Sequence, residues 1–170
     1  VPAGHMIPIA ETLGLVRLID KAVAEMVVNV LARHPSAVIS LNMSGTTATD
    51  PRWYPEITAI LVRNPEAARR LIVEITETVA LGDLEDTARF VRQLKALGVM
   101  VAIDDFGAGY TSFRNLRAMP IDMLKIDGTF ILGIERDPIN RAMVSSMVQI
   151  ARQLGLQTVA EFVENSAGLE

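Results

Sequence analysis

The 170-residue sequence contains no cysteine. Disulfides and thiolate metal sites are excluded, and a reducing compartment fits, so a cytoplasmic location is expected. No apolar run reaches membrane-spanning length, and the first residues do not resemble a signal peptide. No membrane contact is expected from this segment. Positive charge is not in excess, since 16 Lys and Arg stand against 20 Asp and Glu, a formal net charge of −4. That excludes a wide basic surface for a DNA or RNA polymer. A small anionic ligand remains compatible if a metal neutralises it. Linkers, low-complexity stretches and signs of a second domain are also missing. What is present is a chain that is half hydrophobic, long enough for one globular domain with a substantial core.

Glu11 to about His34 reads as one long helix, with Leu15, Leu18, Ala22, Met26 and Val30 at helical spacing and Pro35 as its stop. Val38–Asn42 reads as a strand, followed by a polar connection and a short helix from about Pro55 to Arg63. Leu71–Ile75 is the next strand. Asp83 is the expected N-cap of a helix carrying Leu84, Ala88, Val91 and Leu94, which Gly98 stops. Strands follow at Val99–Ile103 and Ile121–Ile126. Asp137-Pro138 caps a helix lined by Ile139, Met143, Met147, Ile150 and Leu154, and Gly155 ends it before a strand at Leu156–Ala160. Strands alternating with helices predict βαβ units and a parallel α/β sheet. A weak internal echo supports this: Leu97-Gly98-Val99 and Leu154-Gly155-Leu156 each lead, six residues after the glycine, to an acid, Asp104 and Glu161.

Each strand runs apolar and then meets a polar residue at its C-terminal end. These are Asn42, Glu74, the pair Asp104 and Asp105, Lys125 and Glu161. In a parallel α/β barrel all such ends meet at one face, where active sites are built, whereas a doubly wound sheet gathers ligands at a switch point. Five consecutive strands each delivering a functional group fit the barrel better. An Asn or Asp closing a strand also serves as a turn former or helix cap, and that reading stays open for Asn42. Glu77 and Asp127 lie one step further out and read as solvated. Glu74, flanked by Val73 and Ile75, and Lys125, inside Met-Leu-Lys-Ile, are harder to dismiss, because a lone buried charge is costly.

Adjacent carboxylates repel, and a divalent cation would let Asp104 and Asp105 both stay ionised. Carboxylates plus an amide oxygen, without His or Cys, suit Mg²⁺ or Mn²⁺ rather than zinc. Such sites commonly perform phosphoryl chemistry with two ions.

The run Asp104-Asp105-Phe-Gly-Ala-Gly-Tyr-Thr-Ser112 resembles the DDFGxGYSS signature of EAL domains, the cyclic-di-GMP phosphodiesterases. Ile7-Pro-Ile-Ala-Glu-Thr-Leu-Gly-Leu15 is similar to IPxAExxGL, Leu41-Asn-Met-Ser44 to VNLS, and Glu74-Ile-Thr-Glu77 to EITE. Leu124-Lys-Ile-Asp127 matches LKID, and Val159-Ala-Glu-Phe-Val-Glu164 resembles VAEGVE. The matches cover nearly the whole chain in the family's order. The resemblance implies a (β/α)₈ TIM-like barrel, with residues 1–170 as its central part and about five of its parallel strands. It implies Asn42, Glu74, Asp104 and Asp105 as metal ligands, and Lys125 as the group that holds or activates the attacking water. It implies Glu161 on the second metal, directly or through water, and Glu77 as a brace for the loop after the aspartates, which links the site to a dimer interface. The implied reaction is Mg²⁺- or Mn²⁺-dependent hydrolysis of cyclic-di-GMP to linear pGpG in bacterial signalling, in a homodimer with sensory or GGDEF-type domains alongside.

Departures from the family pattern accompany the match. The glutamate of the naming Glu-Ala-Leu motif is expected upstream of Val1 and the last strand beyond Glu170, so impaired hydrolysis is expected of the segment alone. Phe162 stands where glycine is usual. Two rival readings are a degenerate module that binds the dinucleotide or a protein without hydrolysis, and a metal-dependent lyase or enolising enzyme with Lys125 as base.

Overall fold

The computed structural model describes residues 3–77, 84–109 and 113–163. Five strands form one parallel sheet: β1 (Ile39–Met43), β2 (Leu71–Thr76), β3 (Met100–Phe106), β4 (Met123–Ile126) and β5 (Gln157–Ala160). Their order in space is their order in the chain, β1-β2-β3-β4-β5. A doubly wound sheet would reverse direction at a switch point. This sheet advances one neighbour at a time, as a barrel wall does.

Helices connect and cover the strands: α1 (Ala3–Thr12), α2 (Val16–Arg33), α3 (Gly45–Ala48), α4 (Trp53–Leu61), α5 (Pro65–Ala68), α6 (Leu84–Ala96), α7 (Phe113–Ala118), α8 (Gly128–Ile131) and α9 (Pro138–Gln153). The expected single helix from Glu11 is two helices. Gly14 takes φ +66°, a left-handed conformation that ends α1 after one more turn residue and lets α2 start afresh at Val16. At α9 the capping expectation holds, because the Asp137 carboxylate accepts hydrogen bonds from the Ile139 and Asn140 N–H groups with Pro138 in the first turn. The expected cap Asp83 lies outside the described residues.

The core is built from the inward residues of the strands, among them Leu41, Val73, Ile75, Val101, Ile103, Leu124 and Ile126, against Leu31, Trp53, Leu61 and Leu94 from the helices. Trp53 meets Phe90 with ring centroids 5.7 Å apart in a tilted arrangement. The stripe at helical spacing is not the buried one: Leu15, Leu18, Ala22 and Met26 face out, while Val16, Ala24, Val28 and Leu31 face in. The helix carries apolar residues on both sides, so periodicity detects a helix without choosing its face. The inward stripe has the smaller residues, which let α2 approach β1 and α4 closely. On α9, likewise, Met147 and Ala151 are buried and Val144, Val148 and Leu154 pack against the core, whereas Ile139 and Met143 are exposed.

No helix among the described residues is long and apolar enough to cross a membrane.

Candidate active site

The strand register brings the polar strand ends to one rim. Asn42 pairs in register with Glu74, and Thr76, two residues beyond Glu74, pairs with Asp104. Lys125 pairs with Val159, two residues before Glu161. Side chains alternate along a strand, so equal register puts Asn42 and Glu74 on one face.

Lys125 is the centre of this rim. Its ammonium lies 2.8 Å from Glu74 Oε2, 2.6 Å from Asp104 Oδ1 and 2.8 Å from Glu161 Oε1. All three acids are mostly buried, and Glu74 is 6% exposed. Three ammonium hydrogens meet three carboxylates on three different strands or strand ends, which satisfies charges that would be costly if left alone. Burial alone would push the lysine down. The hydrogen bonds it donates to Asp104, Glu161 and Glu74 outweigh it and hold the group above its ordinary range.

Asp105 reaches the same rim by an irregularity. In a regular strand, neighbours point to opposite faces. The β3–β4 register shifts between Ile103 and Phe106, and Asp105 takes φ +54°. A bulge of this kind re-aims a side chain. The result is that one carboxylate oxygen from each of Asp104, Asp105 and Glu161 lies within 4.8 Å of the others. The Asp105 carboxyl is pushed up, first by burial and then by the charges of Asp104, Glu161 and Asp127, with Lys125 opposing. One ammonium against the four carboxylates of Glu74, Asp104, Asp105 and Glu161 leaves a formal −3. The rim therefore has negative charge to spare, and its oxygen donors suit a hard divalent cation. Asn42 is exposed at the end of β1 and adds an amide oxygen on the same side of the sheet.

Of the two residues that read as solvated by position, Glu77 is buried, whereas Asp127 is a surface helix cap. Glu77 is 3% exposed, and its Oε2 accepts hydrogen bonds from Gly107 N at 2.8 Å and Gly109 N at 3.1 Å. A Cβ on Gly109 would stand 2.9 Å from Glu77 Oε1, so the glycine is what lets the loop close on the carboxylate. Buried charge is stabilised here by backbone donors. Asp127 caps α8, accepting from the Thr129 N–H at 2.8 Å and from the Thr129 hydroxyl. Phe162, beside Glu161, takes φ +51°. This accounts for glycine being usual at that position in the pattern, since L side chains rarely adopt it.

Sequence reasoning missed Asp20. It is 6% exposed on the inward stripe of α2, and its Oδ2 accepts a 3.3 Å hydrogen bond from Ser44 N, two residues past Asn42. A polar residue breaking the spacing Val16, Ala24, Val28 was the available signal.

The EAL domain family model matches residues 1–170. The chain is 34% identical over 163 residues to the cyclic di-GMP phosphodiesterase PdeF of Escherichia coli, covering 94% of this chain and 22% of that protein. It is 33% identical over 175 residues to the bifunctional diguanylate cyclase/cyclic di-GMP phosphodiesterase MucR of Pseudomonas aeruginosa, covering all of this chain and 26% of that one. The chain thus spans about a quarter of the length of these curated relatives. Among solved structures it is similar to the PaMucR phosphodiesterase in complex with c-di-GMP, with TM-score 0.93, 32% identity, and 99% of this chain and 75% of that chain covered. The EAL domain of Mycobacterium smegmatis DcpA is similar with TM-score 0.77 and 30% identity over 88% of this chain and 68% of that one. Strand order, strand-end chemistry and these likenesses agree, and the chain belongs to the EAL domain family.

Proposed function

We propose that the protein carrying this segment hydrolyses one phosphodiester bond of cyclic-di-GMP to give linear pGpG, as part of bacterial second-messenger signalling. The observation that carries the reading is the charge imbalance at the carboxyl rim, where four carboxylates surround one lysine. Its relatives bear the name of this activity.

Asn42, Glu74, Asp104 and Asp105 are the residues we assign to hold Mg²⁺ or Mn²⁺, with Glu161 at a second ion. Bound ions of this type lower the pKa of water and steady the leaving oxygen. Lys125 keeps its proton, because each hydrogen of its ammonium faces a carboxylate. It acts by donating: it holds the three acids in position, and it turns one hydrogen to the attacking water when a bound cation takes over one of those carboxylates. A protonated lysine is no general base, which removes the support for a lyase or enolising enzyme. Glu77 fixes the Gly107–Gly109 turn that follows the aspartates.

A homodimer belongs to the same reading. Met6, Ile9, Leu13, Leu15, Leu18 and Met26 leave apolar area exposed on α1, α2 and the turn between them. Light scattering of the chain is expected to give a dimer, and a stable monomer at high concentration would remove this part. The catalytic part is tested by product analysis with excess Mn²⁺. Release of pGpG, with little further cleavage, is expected. Binding of cyclic-di-GMP without turnover, in the full protein, would identify a degenerate binding module instead.

A further inference from the structure

Phe162 combines three features at the carboxyl rim. Its backbone is left-handed, at φ +51°. Its side chain is not buried, being 66% exposed although a phenyl ring is a large apolar payload. And it follows Glu161, whose carboxylate is bound to Lys125, at the carboxyl rim. The ring lies against the backbone of Gly128 at the start of α8. A Cβ built on Gly128 would meet Phe162 Cδ2 at 2.1 Å, Cγ at 2.8 Å and Cε2 at 2.9 Å, and these are its three nearest atoms. Gly128 itself has no left-handed φ. Its lack of a side chain therefore serves the ring, not its own conformation. Backbone strain kept beside the Glu161 carboxylate, with a glycine opposite to seat the ring, points to use by a ligand.

We propose that Phe162 is a substrate-binding residue, an aromatic wall on which a guanine base of the substrate stacks. The inference rests on the reading of cyclic-di-GMP as substrate and deepens it. A purine offers a π-face, and stacking on an aromatic side chain is tolerant of base identity but needs a flat ring. Seating the ring against Gly128 restricts it before the base arrives, which lowers the ordering cost of binding.

The test uses the protein carrying this segment and cyclic-di-GMP as the probe. Phe162→Gly should raise KM roughly tenfold, the effect of losing one base stack, while kcat changes by about twofold or less. Its melting temperature should hold or rise, because glycine accepts the left-handed backbone without strain. Phe162→Trp should keep KM near wild type, and its indole emission should change on saturation with substrate, against a background of Trp53, which is 1% exposed. Gly128→Ala should raise KM in the wild type by displacing the ring and do nothing further in Phe162→Gly, a non-additivity expected only if both act through the ring. An unchanged KM in Phe162→Gly, with active wild-type enzyme, overturns the inference and leaves the function standing. A wild-type protein that neither binds nor cleaves cyclic-di-GMP overturns both.

Discussion

Two lysine–carboxylate groups sit at opposite ends of the same sheet and differ in balance. At the amino end, Lys95 of α6 pairs with Asp122 just before β4, and the other oxygen of Asp122 accepts the Val101 N–H at 2.9 Å. One cation meets one anion, both about a third exposed. At the carboxyl end, one cation, Lys125, meets three carboxylates directly and a fourth stands close by. The first group ties α6, β3 and β4 together and is complete. The second has more acids than its one cation balances. In barrel-type sheets the amino face serves stability and the carboxyl face chemistry. Charge balance distinguishes the two here without reference to any motif.

The largest effects should come from the unbalanced end. Asp104→Asn or Glu74→Gln is expected to lower cyclic-di-GMP turnover by about a hundredfold or more, with the circular dichroism spectrum retained. Near-wild-type turnover in either folded variant would show that the acids are structural. Lys125→Ala should lower kcat by about a hundredfold and KM much less, since a contact made in the chemical step is lost. It also leaves its acids without their shared cation, so its melting temperature should fall in EDTA and recover with Mn²⁺. A fall that Mn²⁺ does not reverse would argue against cation binding at the cluster.

At the balanced end the signs separate. Asp122→Ala should cost about 1–2 kcal/mol in denaturant unfolding, because the Val101 N–H and Lys95 lose their acceptor. Specific activity of the folded fraction should stay near wild type. A large drop in kcat at constant stability would erase the distinction between the two ends.

The smallest effect concerns Asp20, which belongs to neither end. Burial raises its carboxyl above the ordinary value, against the Ser44 N–H. The folded state then holds this proton more tightly than the unfolded chain, so its contribution to stability falls as pH rises from the unfolded value of 3.8 through the folded pKa. Asp20→Asn lacks that fall. Its melting temperature should gain on wild type between pH 4 and pH 7, and a gap that stays constant would mean that Asp20 is not the titrating group.

The same contrast explains what the sequence made legible. Strand ends were readable because an apolar run that stops at Glu74, Asp104 or Glu161 places a charge where burial begins to be costly. The convergence of these ends on Lys125 is a property of register, which spacing along the chain does not contain. The adjacent aspartates raised the question of a neutralising cation. Part of the answer is Lys125 itself, bound to Asp104, and a break in β3 brings Asp105 to the same side. Position alone makes Glu77 read as solvated, and only the family resemblance marks it as a loop brace, because its partners are backbone N–H groups that leave no trace in side-chain pattern. Spacing also left the buried faces of α2 and α9 open. Both helices carry a second apolar stripe, and only packing decides which one faces the sheet.

The central claim is that the carboxyl rim is a cation-dependent centre because its acids outnumber its lysine. Titration of the metal-free protein with Mn²⁺, followed by electron paramagnetic resonance of the free ion, tests it most directly. The account predicts saturable binding of up to two Mn²⁺ per chain, lost or strongly weakened in Asp104→Asn and unaffected in Asp122→Ala. Equal Mn²⁺ binding by wild type and Asp104→Asn would contradict it.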